Sequence, residues 1–131
     1  MSIAVSPFLR RVLALDAIAT GATALLAGLG AGIMEPLLGL PASLMHGAGL
    51  VLAPFVGLVA WTAFQPRVSS ALVWTIILCN AAWVLASIGV LGGGWVHPTL
   101  LGMAFIIAQS VVVGIFAELE YVGLRGSAAI A

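Results

Sequence analysis

Few residues of this 131-residue chain could do chemistry, because Asp, Glu, Lys and Arg together make up only 6% of it. Asp16 comes first. The residues that follow it, 17–34, are uncharged and mostly apolar, and a carboxylate inside such a helix is by default a functional group. Thr20, Thr23 and Ala27 continue its helical face at i+4, i+7 and i+11. Asp16, Thr20 and Thr23 are therefore a candidate ion or proton site. The structural alternative, which carries more weight from sequence, is an Asp tied to Arg67, Arg11 or Thr75 and orienting its helix.

Asn80 and Gln109 form a second candidate. They fall at matched depths, about 15 Å in, on two oppositely directed segments, where each amide could satisfy the other. Trp83 and Ser87 share the Asn80 face at i+3 and i+7. Asn80, Trp83, Ser87 and Gln109 are thus a candidate midplane polar site, with structural glue as the leading role.

His46 and His97 fall at one end of their segments. Facing histidines can ligate a haem b iron, although interfacial, hydrogen-bonded histidines are the plainer reading. Glu118 and Glu120 read as a solvated end, and Glu35 as a loop residue. Cys79 is the only cysteine, so no intramolecular disulfide and no CxxC motif exists. Without HExxH or CxxC spacing, a buried carboxylate pair or a Ser/His/Asp set at one depth, we expect no enzyme, no metal and no resident cofactor.

The elements that must hold these groups follow from composition. The chain is 63% hydrophobic with a mean hydropathy of +1.29, against about 45–50% apolar in a soluble domain. Disorder is excluded by the same numbers. The only cations besides histidine are four arginines, too few for a phosphate-binding stripe, so nucleic acid is excluded as a partner. Lipid is the expected solvent.

A helix needs about 20 apolar residues to cross a bilayer, and the charge-free stretches supply four spans: 12–33, 42–64, 70–91 and 98–119. Glu35-Pro36 should stop the first, Pro41 and Pro98 open the second and fourth, and Ser69 or Ser70 caps the third. Open strands are not allowed in lipid. The expectation is all-α: one transmembrane domain over 1–131, a four-transmembrane-helix bundle. The first span is too long for a secretory signal and is expected to be retained. Arg10, Arg11, Arg67 and Arg125 share one side, which places the N and C termini in the cytoplasm.

Small residues should let the helices approach closely. Gly28 and Gly32, then Gly49, Ala53 and Gly57, then Ala82 and Ala86 recur every fourth residue, and packing within one bundle is preferred to a dimer face. Pro54 should kink the second span.

Leu15-Asp16-Ala17, Leu38-Gly39-Leu40-Pro41, Asn80 to Trp83, and Pro98-Thr99 to Gln109, in that order, resemble a group of short bacterial four-helix integral membrane proteins. The resemblance implies the fold and carries no activity. Small multidrug transporters are also similar, being four-helix chains with an acid in the first span; this chain differs in using Asp for Glu and in its one-sided arginines. The leading expectation is a non-catalytic accessory or scaffold subunit of a bacterial inner membrane, a homo-oligomer or bound to a larger membrane protein. A proton- or cation-coupled transporter centred on Asp16 is the alternative. A haem- or quinone-binding redox accessory is the third.

Overall fold

The computed structural model describes residues 1–127 and the backbone of 129–130. A short strand β1 (Ser2–Ala4) leads into α1 (Pro7–Leu29), α2 (Ala31–Leu38) and α3 (Ala42–Phe64). Strand β2 (Arg67–Ser69), α4 (Ser70–Gly92), α5 (Leu100–Gly126) and β3 (Ala129–Ile130) follow. Helices α1, α3, α4 and α5 are each long and apolar enough to cross a membrane. Large apolar side chains face outward on all four, Leu29, Phe64, Leu85 and Leu100 among them, more than a water-exposed surface tolerates.

The helix starts are chemically marked. Ser6, Ser69 and Thr99 each accept a hydrogen bond from the backbone N–H three residues on, capping α1, α4 and α5. Pro41 has no side-chain group to cap α3, and the Glu35 carboxylate accepts from Ala42 N–H instead. Glu35 is therefore a cap rather than a plain loop residue.

The first span differs from expectation at both ends. It starts at Pro7, five residues before position 12, because Ser6 caps it and Pro at N1 costs no hydrogen bond. It breaks at Gly30, and Pro36 lies inside the short α2 instead of stopping the chain. The stop comes at Gly39, whose φ of 69° is left-handed. A Cβ there would also sit 2.8 Å from His97 O, so two separate constraints require glycine. Pro54 is accommodated within α3, which runs on to Phe64.

The three-stranded sheet is a further departure from an all-helical reading. β1 pairs antiparallel with β2 and with β3. It draws the N-terminus, the α3–α4 connection and residues 129–130 to one end of the bundle, the strand end. Arg10 reinforces it by donating to the Ala63 and Gln65 carbonyls at the end of α3, where a cation meets the negative pole of the helix.

The packing is two helix pairs joined edge to edge: α3 lies along α1, α4 along α5, and α1 meets α5. Gly49 makes the first pair close, since a Cβ there would fall 2.9 Å from Gly28 Cα. The glycine stripes serve the bundle at this crossing, while Gly32 and Gly57 face open space. Leu9, Leu13, Val59, Val73 and Ile76 fill the core toward the strand end; Ala27, Leu38, Met45 and Ile106 fill the other.

Candidate functional site

Asp16 sits on the inward stripe of α1, between Leu13 and Thr20, and is completely buried. Helical rise from Pro7 puts it about 13 Å along the axis, deeper than a start at residue 12 would. Arg67, Arg11 and Thr75 are not its partners. Thr20 Oγ1 donates to Asp16 Oδ1 at 2.9 Å, and Asn80 Nδ2 donates to Asp16 Oδ2 at 2.9 Å.

The second hydrogen of that amide goes to another acid. Asn80 Nδ2 donates to Glu120 Oε1 at 2.8 Å, and Glu120 is as fully buried as Asp16. Glu120 Oε2 has no hydrogen-bond partner among the described residues. The expectation of a solvated Glu120 is thereby overturned, and so is the absence of a buried carboxylate pair; Glu118 is exposed as expected. Glu118 and Glu120 are two residues apart, hence about 200° apart around a 3.6-residue helix, and cannot both face outward. The inward stripe of α5 runs Gly102, Ile106, Gln109, Val113, Phe116, Glu120 and Gly123, a spacing that includes Glu120 and excludes Glu118. Gly123 packs on Leu9, its missing Cβ bringing this part of α5 against α1.

Among the described residues, neither carboxylate is hydrogen-bonded to arginine or histidine. Arg10 is committed to the end of α3. Arg125 lies over the Tyr121 ring, 5.7 Å from its centroid, and Tyr121 in turn meets Trp74 at 5.5 Å.

Asn80 and Gln109 do not satisfy each other. The expected equal depth does not hold: Asn80 is level with Glu120, eleven residues after Gln109 on α5, whereas Gln109 lies opposite Trp83 and Ser87. Trp83 Nε1 donates to Gln109 Oε1 at 2.8 Å. Gln109 Nε2 donates to Ser87 Oγ at 2.9 Å, to Ile106 O and to Ser110 Oγ. Thr23 stands apart from both clusters and donates to Ala19 O within its own helix.

No protein-family profile, curated protein or solved structure matches this chain.

Between α3 and α4 the two helix pairs leave a cavity of about 730 Å³. Thr20 and Asn80 line it near the acids, Trp83 and Gln109 farther up, and Phe55, Phe105 and Phe116 supply much of its apolar wall. Thr23, Val51, Trp83, Ala86, Phe105 and Gln109 also line a second space of about 450 Å³ that reaches Leu40 and Met45. The two adjoin along these shared residues. The Leu9, Leu13, Val59, Val73 and Ile76 core separates the acids from the strand end.

The histidines are brought to no common site. His46 is exposed on a groove between α1 and α3 lined by Gly21, Ala24 and Gly49, and His97 is exposed in the loop before α5. Among the described residues no three His, Cys, Asp or Glu side chains gather as a metal site.

Proposed function

We propose that this chain is a small multi-pass membrane protein that acts as a minimal proton-coupled carrier rather than a passive scaffold. The observation that carries this reading is the buried Asp16–Asn80–Glu120 bridge at the foot of the cavity. Two full negative charges held on one amide nitrogen repel by on the order of a few kcal/mol at an effective dielectric of 20. One amide can donate to both carboxylates without neutralising either, so a proton or a small cation is the natural third component of the pair. A group that only holds two helices together does not need a second acid. An Asn–Gln pair would do so without the charge.

The cavity supports the same reading, because it ends on Thr20 and Asn80, the two side chains that touch the acids. Proton occupancy behind this wall is felt directly by whatever fills the cavity. No step of covalent chemistry is proposed. Orientation follows the arginines, with the strand end in the cytoplasm of a bacterial cell and the chain in its inner membrane. Both ends of the chain are drawn to the strand end, which accords with an even number of crossings.

A homo-oligomer is the second reading, favoured by one observation: the groove of about 750 Å³ on the outer α1–α3 face, lined by Gly21, Ala24, Gly28 and Ala53. A surface of small residues is what close helix contact in lipid uses. Such an assembly is compatible with the carrier.

The carrier reading is tested in liposomes carrying a pH-sensitive dye, with a potassium diffusion potential as the driving force. Proton entry above that of protein-free liposomes is expected, and Asp16→Asn and Glu120→Gln should each abolish it. Equal flux in wild type and both variants would contradict the reading.

A further inference from the structure

The N–H and O–H hydrogens of the side chains lining the cavity are already committed within the protein, which leaves only the weak Cys79 S–H as a free donor, and this dictates what can bind there. Both Asn80 N–H groups go to the acids. The Thr20 hydroxyl donates to Asp16, Thr23 to Ala19 O, and Ser87 to Trp83 O. The Trp83 indole N–H goes to Gln109, whose two amide hydrogens are shared among Ser87 Oγ, Ser110 Oγ and Ile106 O. What remains unused is a set of lone pairs. Asn80 Oδ1 accepts from no group among the described residues, yet it is not an enclosed orphan, as Glu120 Oε2 is; with Asn80 lining the cavity, this oxygen is left for the occupant. The hydroxyl oxygens of Thr20 and Thr23 likewise retain accepting capacity.

From this inventory we infer that the cavity binds a compact apolar molecule with one hydrogen-bond-donating head, an alcohol or a protonated amine. It discriminates against molecules of the same shape whose polar group only accepts. A ketone or a quinone placed here would set its oxygen against lone pairs and lose its own hydration with no bond in return, a loss of about tenfold in affinity. A quaternary ammonium keeps the charge but has no hydrogen to give. The donor requirement is the specificity device, and the apolar wall of Phe55, Phe105 and Phe116 supplies most of the contact area. This deepens the carrier reading by naming its substrate class and rests on it for the direction of transport, but not for binding.

The test uses four probes with one body: 1-adamantanemethanol, 1-adamantanemethylamine, 1-adamantyl methyl ketone and (1-adamantyl)trimethylammonium. Binding is read in lipid nanodiscs, without any pH gradient, from the fluorescence of Trp83 in a chain carrying Trp61→Phe, Trp74→Phe and Trp95→Phe. Signal that persists in Ala86→Phe, which fills the cavity, measures partition into lipid and is subtracted. Saturable binding of the alcohol, the amine or both is expected, about tenfold tighter than the ketone or the trimethylammonium; whichever donor binds shows which head is preferred. Thr23→Val should weaken that binding severalfold. Equal affinity for all four probes, preference for the ketone, or no saturable binding would each overturn the inference. Because the assay contains no proton gradient, its failure leaves the liposome result standing, and failure of proton flux leaves this result standing.

Discussion

Asp16 and Glu120 accept hydrogen bonds from one and the same nitrogen, Asn80 Nδ2, at 2.9 and 2.8 Å. Their residues lie on α1 and α5, more than a hundred positions apart, and the amide of α4 ties the three helices together. Replacing Asn80 with Leu leaves two buried carboxylates without their shared donor. Hydrogen bonds to charged groups contribute about 1.5–3 kcal/mol each, so Asn80→Leu should cost about 3–5 kcal/mol in reversible unfolding by denaturing detergent in bicelles. A loss below about 1 kcal/mol would show that the bridge is not formed.

The α1–α3 crossing should respond asymmetrically to added methyl groups. A Cβ on Gly49 meets Gly28 backbone at 2.9 Å, whereas a Cβ on Gly28 meets nothing within 4 Å. Gly49→Ala should therefore cost about 1–3 kcal/mol through overpacking, and Gly28→Ala should be neutral or slightly stabilising through helix propensity. The same unfolding assay decides it, and equal effects would argue against this crossing.

Gly102 is the tightest contact between α5 and α2. Its missing Cβ would fall 1.9 Å from Leu38 O, which accepts from Thr99 N–H, while the Thr99 hydroxyl donates to Leu37 O. Backbone cannot yield as a flexible side chain does, so Gly102→Ala should destabilise by at least about 3 kcal/mol. Gly114→Ala, whose Cβ would only touch Val84 at 4.0 Å, is the matched control and should be close to neutral.

Much of this architecture is legible in the sequence. Residues 17–34, 36–66 and 68–117 contain no Asp, Glu, Lys or Arg, and length together with the proline and serine signals divides them into spans close to the observed helices. The Asp16, Thr20 and Thr23 face is also readable, because i+4 and i+7 lie on one side of any helix. Glu120 was hidden by its neighbour: beside exposed Glu118 it looks like one end of a charged tail, and only the 3–4 spacing from Gly102 to Gly123 separates the two. The Asn80 partnership depends on the register of α4 against α5, which brings Asn80 level with Glu120 and Gln109 level with Trp83 and Ser87 and which a single segment does not supply. Strands of two and three residues have no period to detect, so the sheet becomes visible only when β1 meets both β2 and β3.

Accessibility should follow the sheet. With Cys79→Ser as background, single cysteines at Ser2 and Ser127 should react with a membrane-impermeant maleimide from the same side of intact vesicles, and one at Gly93 from the opposite side. Reaction of Ser2→Cys and Ser127→Cys from opposite sides would contradict four crossings.

The most direct test of the acid pair is infrared difference spectroscopy of the reconstituted chain across a pH titration. The Asp16–Glu120 account predicts a carboxyl stretch that titrates in wild type and is altered as a whole by Asp16→Asn and by Glu120→Gln, each variant changing the signal of the acid that remains. Two bands that titrate independently, each lost with its own residue and indifferent to the other, would show two separate acids rather than one proton-binding unit.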